Sequence, residues 1–529
     1  MEKGEMNDQN IFATLIAKAM NLSVDQTGNT LALLDEGCTV PFISRYRKER
    51  TGALNEVQIQ QIADLYDRYQ TLSKRKETIV RAITDQQKMT PELQQRISDC
   101  WDTSELEDLY LPYKQKRRTR AQAAREKGLE PLAQLLLLQR ENQPEQAARR
   151  FVNGDVATVE EAIAGAQDII AETVSEDQRT RHQVRNLFRR EAVITSKVVK
   201  AKADSDEARK FSDYFEWQEP LRRCSGHRLL AMRRGEDEGI LRVSITVDDD
   251  PCMERLNRLW LRNNTRATQI VADAVADGFR RLLKPSIETE FAALSKERAD
   301  DEAIAVFTEN LRQLLLAAPL GQRQVMAIDP GFRTGCKVVC LDRQGSLLHH
   351  EAVFPHPPVN RRMQAKVHLQ QMMADYGIEA VAIGNGTYGR ETEAFVRETL
   401  RRLHAKHGEI PMPMVVSVSE AGASVYSASE VAREEFPDLD LTVRGAISIG
   451  RRLQDPLAEL VKIDPQAIGV GQYQHDVHQP LLAAKLDEVV ASCVNGVGVE
   501  LNTASAPLLG RVSGVGAALA KAIVAWRNE

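Results

Sequence analysis

From residue 1 to about residue 320 the apolar positions recur three and four residues apart, and glycine and proline are sparse, which predicts a long α-rich region. Thr158 followed by Glu161 has the spacing of a capping box. Val159, Ile163, Ala166, Ile170 and Val174 then fall on one helical stripe, and Val271, Val275, Phe279 and Leu282 make a second. Between them residues 239–247 (GILRVSITV) alternate apolar and polar, the one good strand candidate in this half. No fixed-period repeat and no low-complexity segment interrupts the pattern.

At about residue 325 the period changes. Short β runs over 325–330, 335–341 and 346–354 are separated by glycine turns. They are followed by a helix over 360–376, a strand over 379–384, a helix over 389–405, a strand over 413–418 and helices over 423–435 and 444–462. Three hairpin-linked strands followed by strand–helix units predict a mixed sheet with helices on its faces, the order used by the ribonuclease H-like fold. Leu369, Met372, Met373 and Tyr376 mark the buried face of one covering helix, and Val396, Leu400 and Leu403 that of the next. After Asp464 and Pro465 the chain is glycine-spaced and helical again. There the turn Val512-Ser-Gly-Val-Gly516 separates two short apolar-periodic helices.

Composition narrows the class. The chain has 529 residues at 59.2 kDa, 43% hydrophobic and 27% charged, enough for about three or four domains. Seventy Lys plus Arg against 75 Asp plus Glu leave a net charge of −5, so attraction to a polyanion has to come from local patches. The longest nearly apolar run, residues 132–138, is far short of the roughly 18 residues of a membrane span. The first twenty residues mix Glu2, Glu5 and Asp8 among a few apolar ones and lack the pattern of an export signal. Seven scattered cysteines, at 38, 100, 224, 252, 336, 340 and 493, never stand as C-x-x-C. A reducing cytoplasmic setting without membrane partners is expected.

In a ribonuclease H-like sheet, carboxylates on the first strand, after the fourth strand and on a late helix converge on two divalent ions. Asp329 fills the first position, Glu420 follows the fifth strand, and Asp455 stands in the late helix, so Asp329, Glu420 and Asp455 form a candidate catalytic triad. The fourth strand ends in Ala382-Ile-Gly-Asn-Gly-Thr387, which places neutral Asn385 where an acid is wanted. Each acid also has a structural reading. Asp329 before Pro330-Gly331 suits the lead of a type II turn, Asp455 before Pro456 suits a helix cap, and Glu420 suits a solvated loop. Magnesium or manganese is implied only if the chain is a nuclease, and no other cofactor is expected.

Basic clusters offer a second chemistry. Lys114, Lys116, Arg117, Arg118, Arg120 and Arg125 lie with Tyr110 and Tyr113 in a stretch free of acids. Arg181, Arg185 and Arg189 share one helical face at i, i+4 and i+8, an arrangement that costs stability unless anions lie opposite. Phosphate backbone fits both clusters, and so do neighbouring carboxylates. Ser513, Gly514, Val515 and Gly516 form a glycine turn before a helix whose first N–H groups can meet a phosphate, with Lys521 one turn further on; this reads as a helix-hairpin-helix. A turn that serves only helix packing is the competing reading. The segment 331–337 lacks the spacing of a nucleotide phosphate loop. His475 and His478 have no third ligand beside them, and Cys336 and Cys340 suit apolar packing in a strand.

Five phrases carry a family resemblance: FISRYRKERTG (42–52), LYLPYKQKRRTR (109–120), IDPGFRTG (328–335), AGASVYSASE (421–430) and IGRRLQDPL (449–457). With them the chain resembles the bacterial Tex family of transcription accessory proteins over essentially its whole length. The resemblance implies a multi-domain protein: a mostly α N-terminal region with a helix-turn-helix-like part over 1–190, and a helical linker region with a short strand over 191–320. An α/β ribonuclease H-like (YqgF) domain with a mixed sheet follows over 325–463, then a helix-hairpin-helix region over 470–529. It also implies a final oligonucleotide-binding β-barrel, which the sequence to Glu529 does not contain, so a truncated or incomplete form is expected. The expected function is a nucleic-acid-binding transcription accessory protein that acts as a scaffold on RNA or DNA, largely independent of sequence. The transcription or translation machinery are further candidate partners. A metal-dependent, structure-selective nuclease is the alternative.

Overall fold

The computed structural model describes residues 2–331, 333–406, 412–502 and 504–529; Phe332, inside the 328–335 phrase, lies outside them. The chain divides into two compact units. One comprises Met1–Asp35 with Arg50–Asp301, and the other Glu36–Glu49 with Glu302–Glu529. Among the described residues no helix is long and apolar enough to cross a membrane.

The first unit is built mainly of helices with clear local starts. Asn55 and Gln58 form a reciprocal capping box at the head of helix Glu56–Asp85, which buries Ile59, Ile62, Leu72, Ile79 and Ile83. Thr158 accepts the Glu161 N–H at the head of helix Val159–Glu176, while the Glu161 carboxylate reaches back to the N–H of Ala157. Ala162, Ala166, Ile169, Ile170 and Val174 of that helix are buried. The stripe that starts at Val271 and Val275 in helix Arg266–Asp277 continues through a wider π turn, Gly278–Leu283. The extra residue per turn moves the buried position from Leu282 to Leu283. Gly278 makes the turn's close packing feasible, because a Cβ there would lie 2.7 Å from the carbonyl oxygen of Ala171.

Three strands accompany these helices: β1 (Val193–Val198), β2 (Glu216–Pro220) and β3 (Leu241–Thr246), antiparallel in the order β2-β1-β3. Sequence alone predicts only β3. β2 reads as a polar segment and has no buried position, while in β1 the buried positions are Ile194 and Ser196, so burial alternates there but hydrophobicity does not.

The second unit contains a five-stranded sheet of β4 (Val325–Asp329), β5 (Cys336–Leu341), β6 (Leu347–Val353), β7 (Ala380–Gly384) and β8 (Met414–Val418), in the order β6-β5-β4-β7-β8. β4, β5 and β6 pair antiparallel, and β7 runs parallel to both β4 and β8. β4 and β7 are buried on both faces, because alternate residues feed two cores. Met326, Ile328, Val381 and Ile383 pack with Leu369 and Val396, from helices Arg362–Asp375 and Gly389–Lys406. Val325, Ala327, Ala380 and Ala382 pack with Ala446, Ile447 and Ile449, from helix Leu441–Gln454. The helices foreseen over 423–435 and 444–462 are each broken in two. Ser429 caps a new helix, Glu430–Glu435, and Asp455 with Pro456 starts Pro456–Leu460, where proline cannot continue the preceding hydrogen-bond ladder. Helices Gln479–Val497, Ala506–Leu509 and Ala517–Asn528 complete the unit, and helix Val40–Tyr46 belongs to it as well.

Candidate nucleic-acid interface

Parallel pairing brings the carboxyl ends of β4, β7 and β8 to one edge of the sheet, so Asp329, Asn385 and Glu420 become neighbours. Glu420 donates its backbone N–H to Asn385 Oδ1 at 3.1 Å. Its carboxylate lies against Gly384 and Gly386, where a Cβ would collide with it. Burial, reinforced by the nearby Glu420 charge and opposed by Lys337, pushes the Asp329 carboxyl up to about 6. Asp329 and Glu420 are therefore together.

Asp455 is not with them. It lies beyond the far end of helix Leu441–Gln454, where its side chain accepts the Ala458 N–H at 3.0 Å and caps the next helix. The residue of the long helix that meets Asp329 is Gly445, where a Cβ would stand 3.5 Å from Asp329 Oδ2; Asp455 is about 15 Å further along at 1.5 Å per residue. Two carboxylates, an amide oxygen already bonded to a backbone N–H, and a glycine in the third position do not fit a pair of hard divalent ions. Among the described residues no group of three or more His, Cys, Asp or Glu is placed to hold a metal.

Sequence reading missed what the helix does present here. Ser448 and Arg452 follow Gly445 at i+3 and i+7, a spacing that puts them on one face. Arg452 Nη1 donates to the carbonyls of Ser419 and Ala421 at 2.7 Å each. Arg452 Nε and Nη2, Ser448 Oγ and Glu420 Oε1 are buried without hydrogen-bond partners among the described residues. A carboxyl whose folded pKa is raised from its ordinary 3.8 to about 6 contributes stability below pH 4 that is lost as the pH rises through 6. Asp329→Asn is accordingly expected to raise the unfolding free energy at pH 7 by up to about 3 kcal/mol. It should also flatten the dependence of stability on pH between 4 and 6. Urea titrations of both proteins across that range check it, and a variant less stable than the parent at pH 7 contradicts it.

The basic clusters divide in the folded chain. Arg181 and Arg185, expected at a phosphate surface, are buried and face acids instead. Arg181 Nε bonds Asp108 at 2.6 Å, and Arg185 bonds Asp108 at 2.8 Å and Glu290 at 2.6 Å. The carboxylates, not a polyanion, balance this stripe. Arg189 is exposed on the same helix and contacts Asn186 Oδ1 at 3.4 Å. In the other cluster Lys116 pairs with Glu176, Arg118 with Glu126 at 2.7 Å, and Arg125 with Glu130 and Glu172. Lys114 and Arg117 are exposed and have no ion-pair partner among the described residues, while exposed Arg120 acts electrostatically on the Asp168 carboxylate.

The hairpin brings its residues together as a turn. Gly514 takes a φ of +87°, which favours glycine, and a Cβ at Gly514 or Gly516 would meet nothing within 4 Å, so the backbone is open there. Ser513 donates its N–H to Asn495 Oδ1 at 2.9 Å, and Asn495 Nδ2 donates to the Arg511 carbonyl at 3.0 Å, so helix Gln479–Val497 anchors the turn. Val515 closes it by donating to the Val512 carbonyl at 2.9 Å. Gly516 then caps helix Ala517–Asn528, whose first N–H groups, at Ala517, Ala518 and Leu519, have no acceptor within the helix. Ala520 is buried beneath, and Lys521 is exposed one turn on without an ion-pair partner among the described residues. The set can receive an anionic oxygen on backbone amides with an exposed cation one turn further along the helix.

Comparison with known proteins places this geometry in a lineage. Residues 323–454 match the Tex protein YqgF-like domain, 139–307 the Tex central region, 10–84 the Tex-like protein N-terminal domain, and 494–529 a helix-hairpin-helix motif. The chain is 45% identical over 518 residues to the uncharacterized protein YdcI of Bacillus subtilis (strain 168), covering 97% of this chain and 71% of that one. It is 46% identical over 536 residues to protein YhgF of Escherichia coli (strain K12), covering 99% and 68%. It is 43% identical over 531 residues to the transcriptional accessory protein Tex of Neisseria gonorrhoeae, covering 97% and 67%. With three Tex domain models in order and this identity over nearly its whole length, the chain belongs to the Tex family.

Proposed function

We propose that this chain is a transcription accessory protein that holds RNA or DNA by its phosphate backbone and acts as a scaffold, with little preference for base sequence. The observation that carries the reading is the turn Ser513–Gly516, where open glycine backbone leads into a helix with unpaired N–H groups beside exposed Lys521. Backbone amides and a lysine address phosphate oxygens common to every nucleotide, which accounts for sequence independence. The name of the Neisseria gonorrhoeae relative supports the link to transcription. Lys114, Arg117 and Arg120 offer a further set of exposed cations for the same backbone.

Fluorescence anisotropy with labelled oligonucleotides of unrelated sequence tests this. Affinity is expected to fall linearly on a log–log plot against salt, with similar slopes for all sequences. Lys521→Ala is expected to weaken binding uniformly and reduce that slope by about one. Absence of binding to single and double strands at low salt would sink the reading.

A further inference from the structure

The hairpin has a neighbour from far away in the sequence. Residues Glu36–Glu49 belong to the same compact unit, and within them helix Val40–Tyr46 packs against helix Gln479–Val497. Thr39 Oγ1 stands 3.0 Å from Ser513 Oγ, so the segment touches the turn itself. Arg45 Nη2 lies 3.9 Å from the place a Cβ would take at Gly496, next to Asn495, the residue that holds the Ser513 N–H. Arg45 is exposed and has no ion-pair partner among the described residues.

Tyr46 follows. Its ring is supported by Phe42, 5.3 Å away between centroids, and the Arg47 guanidinium lies over Phe42 at 4.9 Å. Arg47 also donates to the Tyr46 carbonyl at 2.8 Å. Even so, Tyr46 is 58% exposed, a fraction that leaves much of a braced aromatic ring to solvent. The helix between Thr39 and Tyr46 spans roughly 10 Å, short enough for one strand of nucleic acid to touch both the turn and the ring.

We propose that Arg45 and Tyr46 form an outer wall of the hairpin's interface and that its ligand is a single strand of nucleic acid. One phosphate meets the hairpin amides, a neighbouring phosphate meets the Arg45 guanidinium, and an unpaired base stacks on Tyr46. A duplex keeps its bases stacked on one another and offers none to a protein ring, whereas stacking on aromatic side chains is the usual way single strands are held without sequence choice. The inference rests on the hairpin's being a phosphate site. An Arg45 that served only the carboxyl end of helix Gln479–Val497 would affect stability and not binding.

The test compares the parent with Tyr46→Ala, Tyr46→Phe, Arg45→Ala and Lys521→Ala, with labelled oligouridine RNA and a DNA duplex as probes at low salt. Tyr46→Ala is expected to weaken RNA binding about tenfold and leave the duplex unchanged, and Tyr46→Phe to retain RNA binding. Arg45→Ala is expected to weaken RNA binding and lower its salt slope by about one, with an unchanged melting temperature. If Tyr46→Ala and Arg45→Ala bind RNA like the parent while Lys521→Ala is weakened, the wall is refuted and the hairpin reading stands. If all three bind like the parent, both fall. Equal loss for RNA and duplex in Tyr46→Ala refutes the single-strand assignment.

Discussion

Asp108→Ala is expected to lower the stability of the helical unit by about 3–5 kcal/mol, the usual cost of stranding buried charge. Arg181 and Arg185 both converge on the Asp108 carboxylate, and the side chains of all three are less than a tenth exposed. Burial opposes the charge on Arg185, yet its hydrogen bonds to Asp108 and Glu290 outweigh this and raise its pKa above the ordinary value. Without Asp108 two guanidinium groups share Glu290, which Arg181 approaches at 3.8 Å. Denaturant unfolding followed by circular dichroism measures the loss. Arg189→Ala on the same helix should change stability by no more than about 0.5 kcal/mol, because its side chain is exposed. A stability loss below about 1 kcal/mol for Asp108→Ala would contradict this account of the buried charges, and a smaller salt slope of binding for a variant at Arg181 would show that the stripe faces a ligand after all.

Gly450→Val is expected to cost about 2–3 kcal/mol by overpacking. A Cβ at Gly450 would lie 2.6 Å from Leu341 Cδ1 and 2.9 Å from Ala327 Cβ, so glycine lets helix Leu441–Gln454 rest directly on β4 and β5. Two further methyl groups have no space unless the helix lifts. Lifting would also move Gly445, Ser448 and Arg452 away from the carboxyl ends of β4 and β8. Thermal unfolding reports the loss, and a variant as stable as the parent would mean that the helix is less closely seated than these distances require.

Short apolar runs between glycine turns made the five-stranded sheet legible, since β4 and β7 read as such runs and the covering helices show stripes. This pattern also located Asp329 and Glu420. It failed where the decisive fact is a long-range contact or a missing side chain. Arg181, Arg185 and Arg189 repeat every four residues as a phosphate stripe would, but Asp108 and Glu290, which neutralise two of them, stand 73 and 105 positions away from Arg181 and Arg185 respectively. Asp455 looked like the late acid, yet the position that meets Asp329 belongs to Gly445, which displays no chemistry in a sequence. β2 escaped because a strand with no buried position carries polar residues, and β1 because one of its two buried positions is Ser196, which breaks the apolar alternation while burial still alternates. The glycine turn at 513–516 was recognisable because φ > 0 and open backbone have a residue signature of their own. Its contact with Thr39, 474 positions away, had none.

The most direct test of the hairpin as the phosphate site is amide hydrogen exchange over residues 513–519, with and without a saturating oligonucleotide at low salt. Slowed exchange is expected at Gly514, Gly516 and the first amides of helix Ala517–Asn528, because these N–H groups would gain phosphate acceptors. Unchanged exchange there, with protection confined to the loop bearing Lys114 and Arg117, would contradict it.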